Sequence, residues 1–193
     1  GYQDLDLSWW GYFLSPDGQV YGVFGGKDHV SDTTRISEKA FINSLQRVLA
    51  HHYDPRREDW NIDGPLPDLS GSPVTPKDSS AFDAFEEKRP WVEKQDCMHC
   101  HQVGDLVHVE AMEKGLFKVE QMTQHWPLPE NVGILLDRDD GLLVLDVEAG
   151  SAAADAGIKK GDQLAMAGDR RLFGQADFRG VLHRAEYGAT SIP

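Results

Sequence analysis

Val132-Gly133-Ile134-Leu135-Leu136, Gly141-Leu142-Leu143-Val144-Leu145-Asp146-Val147 and Ser151-Ala152-Ala153-Ala154-Asp155-Ala156-Gly157-Ile158-Lys159-Lys160-Gly161-Asp162-Gln163-Leu164 are the runs whose reading decides the fold. The first two are short apolar stretches containing β-branched residues, the composition of strands. The third opens on Ser151, whose hydroxyl can cap a helix, continues through alanines and is punctuated by Gly157 and Gly161. It reads as a short capped helix, a turn and a further strand.

Toward the N-terminus, Leu7-Ser8-Trp9-Trp10-Gly11-Tyr12-Phe13-Leu14 and Gln19-Val20-Tyr21-Gly22-Val23-Phe24 flank Ser15-Pro16-Asp17-Gly18. Two aromatic and β-branched runs around a turn read as a β-hairpin. Ser37 can cap a following helix with Glu38 in its first turn. Ile36, Ala40, Phe41, Leu45, Val48, Leu49 and His52 recur at three- and four-residue intervals and predict its buried face. Short strands and separate helices in one chain make an α+β protein.

From Tyr53 to about Asp96 the chain reads as irregular, with Pro55, Pro65, Pro67, Pro73, Pro76 and Pro90 and the patch Ser70-Gly71-Ser72. Trp60, Phe82, Phe85 and Trp91 are too large and apolar for a free linker, so this segment packs on something, either a cofactor edge or a plain hydrophobic anchor.

Cys97-Met98-His99-Cys100-His101 has the spacing of covalent haem c attachment. Two thiols three positions apart on an incipient helical turn can each add to one vinyl group of a porphyrin, and the adjacent His101 can give the iron its proximal nitrogen. The chain has two cysteines, both inside this motif, so no disulfide framework competes for them. A dithiol of the thioredoxin type normally follows an apolar strand, and the approach Glu86 to Asp96 is polar. A structural zinc site would need two further ligands, with His101 and His108 serving from one helix. A chance occurrence is the last alternative. The expectation is one covalent haem c per chain, held by Cys97, Cys100 and His101. Candidates for the distal iron position are His125, Met122, Met112 if the helix after the motif ends early, and His51 or His52. That helix is predicted from Gln102 to about Lys114, with Leu106, Val107, Ala111 and Met112 for packing and Gly115 as its stop.

Composition excludes some partners. The chain of 193 residues carries 19 basic and 32 acidic side chains. It lacks the Lys and Arg clusters that neutralise nucleic-acid phosphates, and an acidic surface suits docking to a basic redox partner. No run of eighteen apolar residues is present, so no membrane span is predicted, and the first residues lack the basic and apolar regions of a signal peptide. Because covalent haem attachment generally takes place outside the cytoplasmic membrane, the expectation is a periplasmic or otherwise exported protein whose signal peptide is not in this chain.

Two resemblances refine the layout. Val147-x-x-Gly150-Ser151-Ala152-Ala153-Ala154-x-Ala156-Gly157-Ile158-x-x-Gly161-Asp162 closely resembles the hallmark of a PDZ domain in the circularly permuted order of bacterial periplasmic proteases. The resemblance implies that Val132, Gly133, Ile134 and Leu135 begin a carboxylate-binding loop and groove strand. Gln175 to Arg184 would form the other wall, and the groove would take a C-terminal peptide as an added strand. The loop departs from the full Gly-Leu-Gly-Phe type. The chain stops at Thr190-Ser191-Ile192-Pro193, before the last hairpin such a domain needs, which implies a continuation or another chain that completes it. The segment Phe13-Leu14-Ser15-Pro16-Asp17-Gly18-Gln19-Val20-Tyr21-Gly22-Val23-Phe24-Gly25-Gly26 is similar to the thioredoxin-like part of certain large planctomycete-type proteins, without the leading strand and cysteine-bearing helix of that fold. The whole order resembles the thioredoxin/PDZ proteins of planctomycetes and related bacteria. The resulting layout is a thioredoxin-like C-terminal half over 1–53, a proline-rich connection over 54–96, a haem-binding segment over 97–130 and an incomplete PDZ domain over 131–193. The leading expectation is a secreted monohaem c-type cytochrome that transfers single electrons or senses redox state while its PDZ module docks a partner. Two rivals are a PDZ adaptor in which haem is structural, and a five-coordinate haem enzyme acting on peroxide or a small ligand.

Overall fold

The computed structural model describes residues 9–16, 18, 20–26, 37–57, 75–88, 98–119 and 126–185. In chain order its elements are strands β1 (Trp9–Leu14) and β2 (Val20–Gly26), helix α1 (Glu38–His52), a 3-10 turn at Pro76–Asp78, and helices α2 (Phe82–Lys88) and α3 (Cys100–Glu113). A second 3-10 turn at Pro129–Val132 leads to strands β3 (Ile134–Leu136) and β4 (Val144–Val147), the one-turn helix α4 (Ala152–Asp155), strands β5 (Met166–Ala167) and β6 (Arg170–Arg171), and helix α5 (Gln175–Arg184). The strands pair antiparallel in twos, β1 with β2, β3 with β4 and β5 with β6. The protein is therefore α+β. The chain divides into two compact units, one built on Pro67–Thr123 and the other on Ser8–Leu66 together with Gln124–Pro193.

In the larger unit, the first hairpin turns where Gly18, at φ 85°, donates its N–H to the Ser15 carbonyl at 3.0 Å. Ser37 caps α1, its Oγ accepting the Ala40 N–H at 3.0 Å. The buried face of α1 differs from the expected one. Ala40, Ser44 and His51 are buried, with Phe41 and Val48 packed beside them, whereas Leu45 and Leu49 lie outward. The reason is close approach: a β-carbon added at Gly174 would lie 2.8 Å from the Ser44 Oγ, so the glycine lets the Ser44 face of the helix seat against the turn before α5.

That seating brings α1 and the first hairpin against the segment before α5. Phe173 is fully buried among Phe13, Tyr21, Phe24 and Ala40, while its neighbour Leu172 points into a second core with Ile134, Leu136, Leu142, Val144, Phe178 and Leu182. Asp177 of α5 accepts the Val23 N–H of β2 at 2.9 Å. The Nη2 of Arg47 on α1 lies 2.7 Å from both carboxylate oxygens of Asp140, and its Nη1 donates to the Asp140 carbonyl at 2.9 Å. Burial alone would raise the Asp140 carboxyl, but hydrogen bonds from Gln163 and the Leu142 amide, with Arg47 beside them, hold it below the ordinary range. The first hairpin and α1 thus share cores with the segment from Leu172 to Ala176, although the sequence reads the two as parts of separate domains.

The smaller unit is helical where the sequence predicts irregular chain. Thr75 caps the 3-10 turn against Asp78. On α2, Phe82 and Phe85 bury against Leu106 of α3, with Met98 and Val109 alongside, so these two rings serve as a hydrophobic anchor between helices. Trp60 and Trp91 lie outside the described residues. α3 ends in a Schellman motif: Gly115, at φ 65°, donates to the Met112 carbonyl at 3.1 Å and Leu116 to that of Ala111 at 2.8 Å. Of the expected packing residues Leu106 is buried, whereas Val107 and Met112 are about half exposed.

Candidate functional site

The five-residue motif stands at the entry to α3. The helix starts at Cys100, and His99 before it is extended, at φ −70° and ψ 151°. The Gln102 side chain turns back to accept the His99 N–H at 2.7 Å, while the His99 carbonyl accepts from the Gln102 and Val103 amides at 2.9 and 3.1 Å. These bonds satisfy groups that an α-helix leaves open at its first turn. Gln102 is itself buried, so the turn is fixed from inside. The two residues between the cysteines divide their roles: Met98 packs against the Phe82, Phe85 and Leu106 cluster, and His99 is exposed.

His101 is exposed on the first turn of α3, its ring stacked on that of His99 with centroids 5.6 Å apart and planes 12° apart. An imidazole held outward at the helix start, directly after Cys100, is placed to serve a ligand lying against the outside of that turn. Cys97 and the Cys100 side chain lie outside the described residues. Among the described residues no group of three or more His, Cys, Asp or Glu could hold a bare metal ion. One exposed imidazole with two adjacent thiols suits a group that brings its own equatorial nitrogens, as a porphyrin does.

The distal candidates separate. The helix does not end before Met112 but runs to Glu113, so Met112 lies about 16 Å along a continuous axis from His101. One rigid helix cannot deliver both to opposite faces of a single iron, and Met112 is set aside. His51 is a core residue, edge-on to Tyr21 and Phe173 at 5.4 and 5.3 Å between centroids. Reaching a ligand would mean opening that core. His52 is half-buried, with its Nδ1 2.8 Å from the Tyr21 hydroxyl and Arg57 Nη1 within 3.3 Å. Met122 and His125 lie outside the described residues.

The four residues expected to open a peptide groove stand at the turn into β3. Ile134 is buried in the β3–β4 core, Val132 packs against it, and Leu135 is half-buried. Gly133, at φ 83°, is required by Ser151: a β-carbon there would lie 2.2 Å from both Cβ and Oγ of the serine. Its N–H donates to the Glu130 carbonyl at 3.0 Å and its carbonyl accepts from Glu148 at 2.9 Å, so this amide serves the turn. The close approach at Gly133 is made by the protein's own α4 cap.

Sequence reasoning passed over Trp126, which is buried in the larger unit beside Val23 of β2 and Ala176 of α5. It is buried at φ 49°, the left-handed region that residues with a β-carbon avoid. Arg179 of α5, also buried, donates from Nε at 3.0 Å and from Nη2 to the Trp126 carbonyl. The Trp-Pro-Leu-Pro wording signals an ordered turn, but nothing in it shows that the tryptophan points inward. No family model, curated protein or solved structure matches the chain.

Proposed function

We propose that the chain is an exported monohaem c-type cytochrome, with Cys97 and Cys100 as the thioether residues and His101 as the proximal ligand, combined with a PDZ-like partner-docking part. The observation that carries this reading is the exposed His101 at the start of α3, in the pentapeptide that holds both cysteines of the chain. Haem c supplies one-electron exchange at a potential set by its axial ligands and surroundings. The chain's own residues do the holding. Gln102 and His99 fix the entry to α3, Met98 packs on the helical core, and α3 keeps the His101 imidazole outward. The surrounding charge, −13 at neutral pH, favours a basic redox partner and repels polyanions.

The layout is further read as a thioredoxin-like hairpin and helix joined to a permuted PDZ domain. The reading of the second half draws on the succession of β3, β4, capped α4, β5, β6 and α5, with Ser151 Oγ accepting the Ala154 N–H at 3.2 Å.

Expression of the exported chain in a host that attaches haem c tests the central claim. The expected result is a denatured mass equal to polypeptide plus one haem and a pyridine haemochrome spectrum of the c type, both lost in a Cys97→Ala/Cys100→Ala variant. A wild-type mass equal to the bare polypeptide overturns it.

A further inference from the structure

Trp126 is bound as a ligand would be bound. Its carbonyl is taken by two N–H groups of Arg179, and its N–H makes a long hydrogen bond, 3.4 Å, to Nδ1 of His183. Its ring stacks on His183 with centroids 5.5 Å and planes 11° apart, and meets Trp10 edge-on at 4.8 Å. Val23 and Ala176 close the slot from the sides. At its floor is Gly180, where an added β-carbon would lie 3.1 Å from two atoms of the indole, so α5 carries a glycine where the ring rests. Positions 176, 179, 180 and 183 follow helical spacing on one face of α5, while Phe178, Val181 and Leu182 pack on the β3–β4 core.

The same residue is poorly satisfied. Trp126 is the described non-glycine residue with positive φ, and its buried Nε1 has no hydrogen-bond partner. A buried donor without an acceptor and a backbone in a sparsely populated region both lower the cost of leaving. Both backbone polar groups are held by side chains of α5, which makes the slot a recognition site for one aromatic residue, distinct from strand addition along β3.

We propose that the segment starting at Trp126 is a tethered plug: it fills in cis an aromatic-residue site on α5 formed by Ala176, Arg179, Gly180 and His183, and a partner peptide presenting Trp-Pro fills that site when the plug swings out. A tethered occupant acts at an effective concentration of about millimolar, so free peptide competes poorly while the plug is intact. Neither haem attachment nor a groove along β3 enters this inference.

The probe is a labelled synthetic peptide copying residues 124–131, Gln-His-Trp-Pro-Leu-Pro-Glu-Asn, added to the full chain and followed by fluorescence anisotropy. Trp126→Ala protein is expected to bind it at least about tenfold tighter than wild type, and a Trp126→Ala/Gly180→Leu variant, its slot filled, to lose that gain. A folded Trp126→Ala protein that binds no tighter than wild type overturns the proposal, as does equal binding by the double variant. Should Trp126→Ala fail to fold, hydrogen exchange on wild type decides. Exchange of the Trp126 amide by local opening insensitive to denaturant is expected, and exchange only through global unfolding overturns the proposal.

Discussion

Asp177 shows how one side chain can organise a fold. Its carboxylate is 1% exposed and accepts N–H groups from Val23 and Phe173 at 2.9 Å and from Gly174 at 3.2 Å. Replacing it by Ala orphans three buried amides, and a loss of at least about 3 kcal/mol is expected in urea unfolding. Burial pushes the carboxyl from 3.8 up to about 6, against the pull of the same N–H groups and of Arg170. A folded pKa above the unfolded one means the native state holds the proton more tightly. The stabilisation is therefore complete below about pH 4 and disappears as pH rises through about 6. The stability difference between wild type and Asp177→Asn should shrink from pH 4 to pH 7, and a difference that grows contradicts the assignment. At this scale the sequence was informative where chemistry is local. Ser37, Ser151 and Gly115 act as the caps and stop their types imply, because a cap needs only neighbours in sequence. Asp177, Trp126 and Gly133 were illegible because their partners lie far along the chain or across a turn.

Elements were legible in kind and less so in orientation. The hairpin and the helix from Ser37 lie where the pattern puts them, yet α1 turns Ala40 and Ser44 inward and Leu45 and Leu49 outward. Three- and four-residue spacing fits several stripes on one helix, and the choice fell to which stripe admits the Gly174 turn. The helix α2 was hidden among prolines, since its seven residues bury two side chains and leave a short pattern. Those two rings and Leu106 carry the pairing of α2 with α3, which makes Leu106 the sensitive position. Leu106→Ala is expected to cost about 3 kcal/mol and to lower the helical signal in far-UV circular dichroism. If Cys97 to His101 attaches haem, the same change should lower attachment yield, because Met98 shares that cluster. Unchanged melting would show that the α2 and α3 pairing does not depend on this core.

At the scale of the molecule, the α+β class followed from the succession of short strands and helices, while the sharing of cores between the first hairpin and the segment from Leu172 to Ala176 did not. Linear reading places boundaries where composition changes, and the proline-rich stretch after Tyr53 marks such a change. Yet the first hairpin packs against Phe173, Trp126 and Ala176 as well as α1, and Val23 donates to Asp177. This has a consequence in time. Val23 and the carboxylate it donates to are separated by 154 positions, and a ribosome adding 5–20 residues per second takes roughly 8 to 30 seconds to cover that distance. For most of that interval Phe13, Tyr21 and Phe24 have only α1 as cover, and Phe173 and Asp177 are still to be added. Nascent chains stalled before Phe173 should be cut by protease within the hairpin, whereas chains released after Arg184 should resist. A stretch translated late closes one translated early.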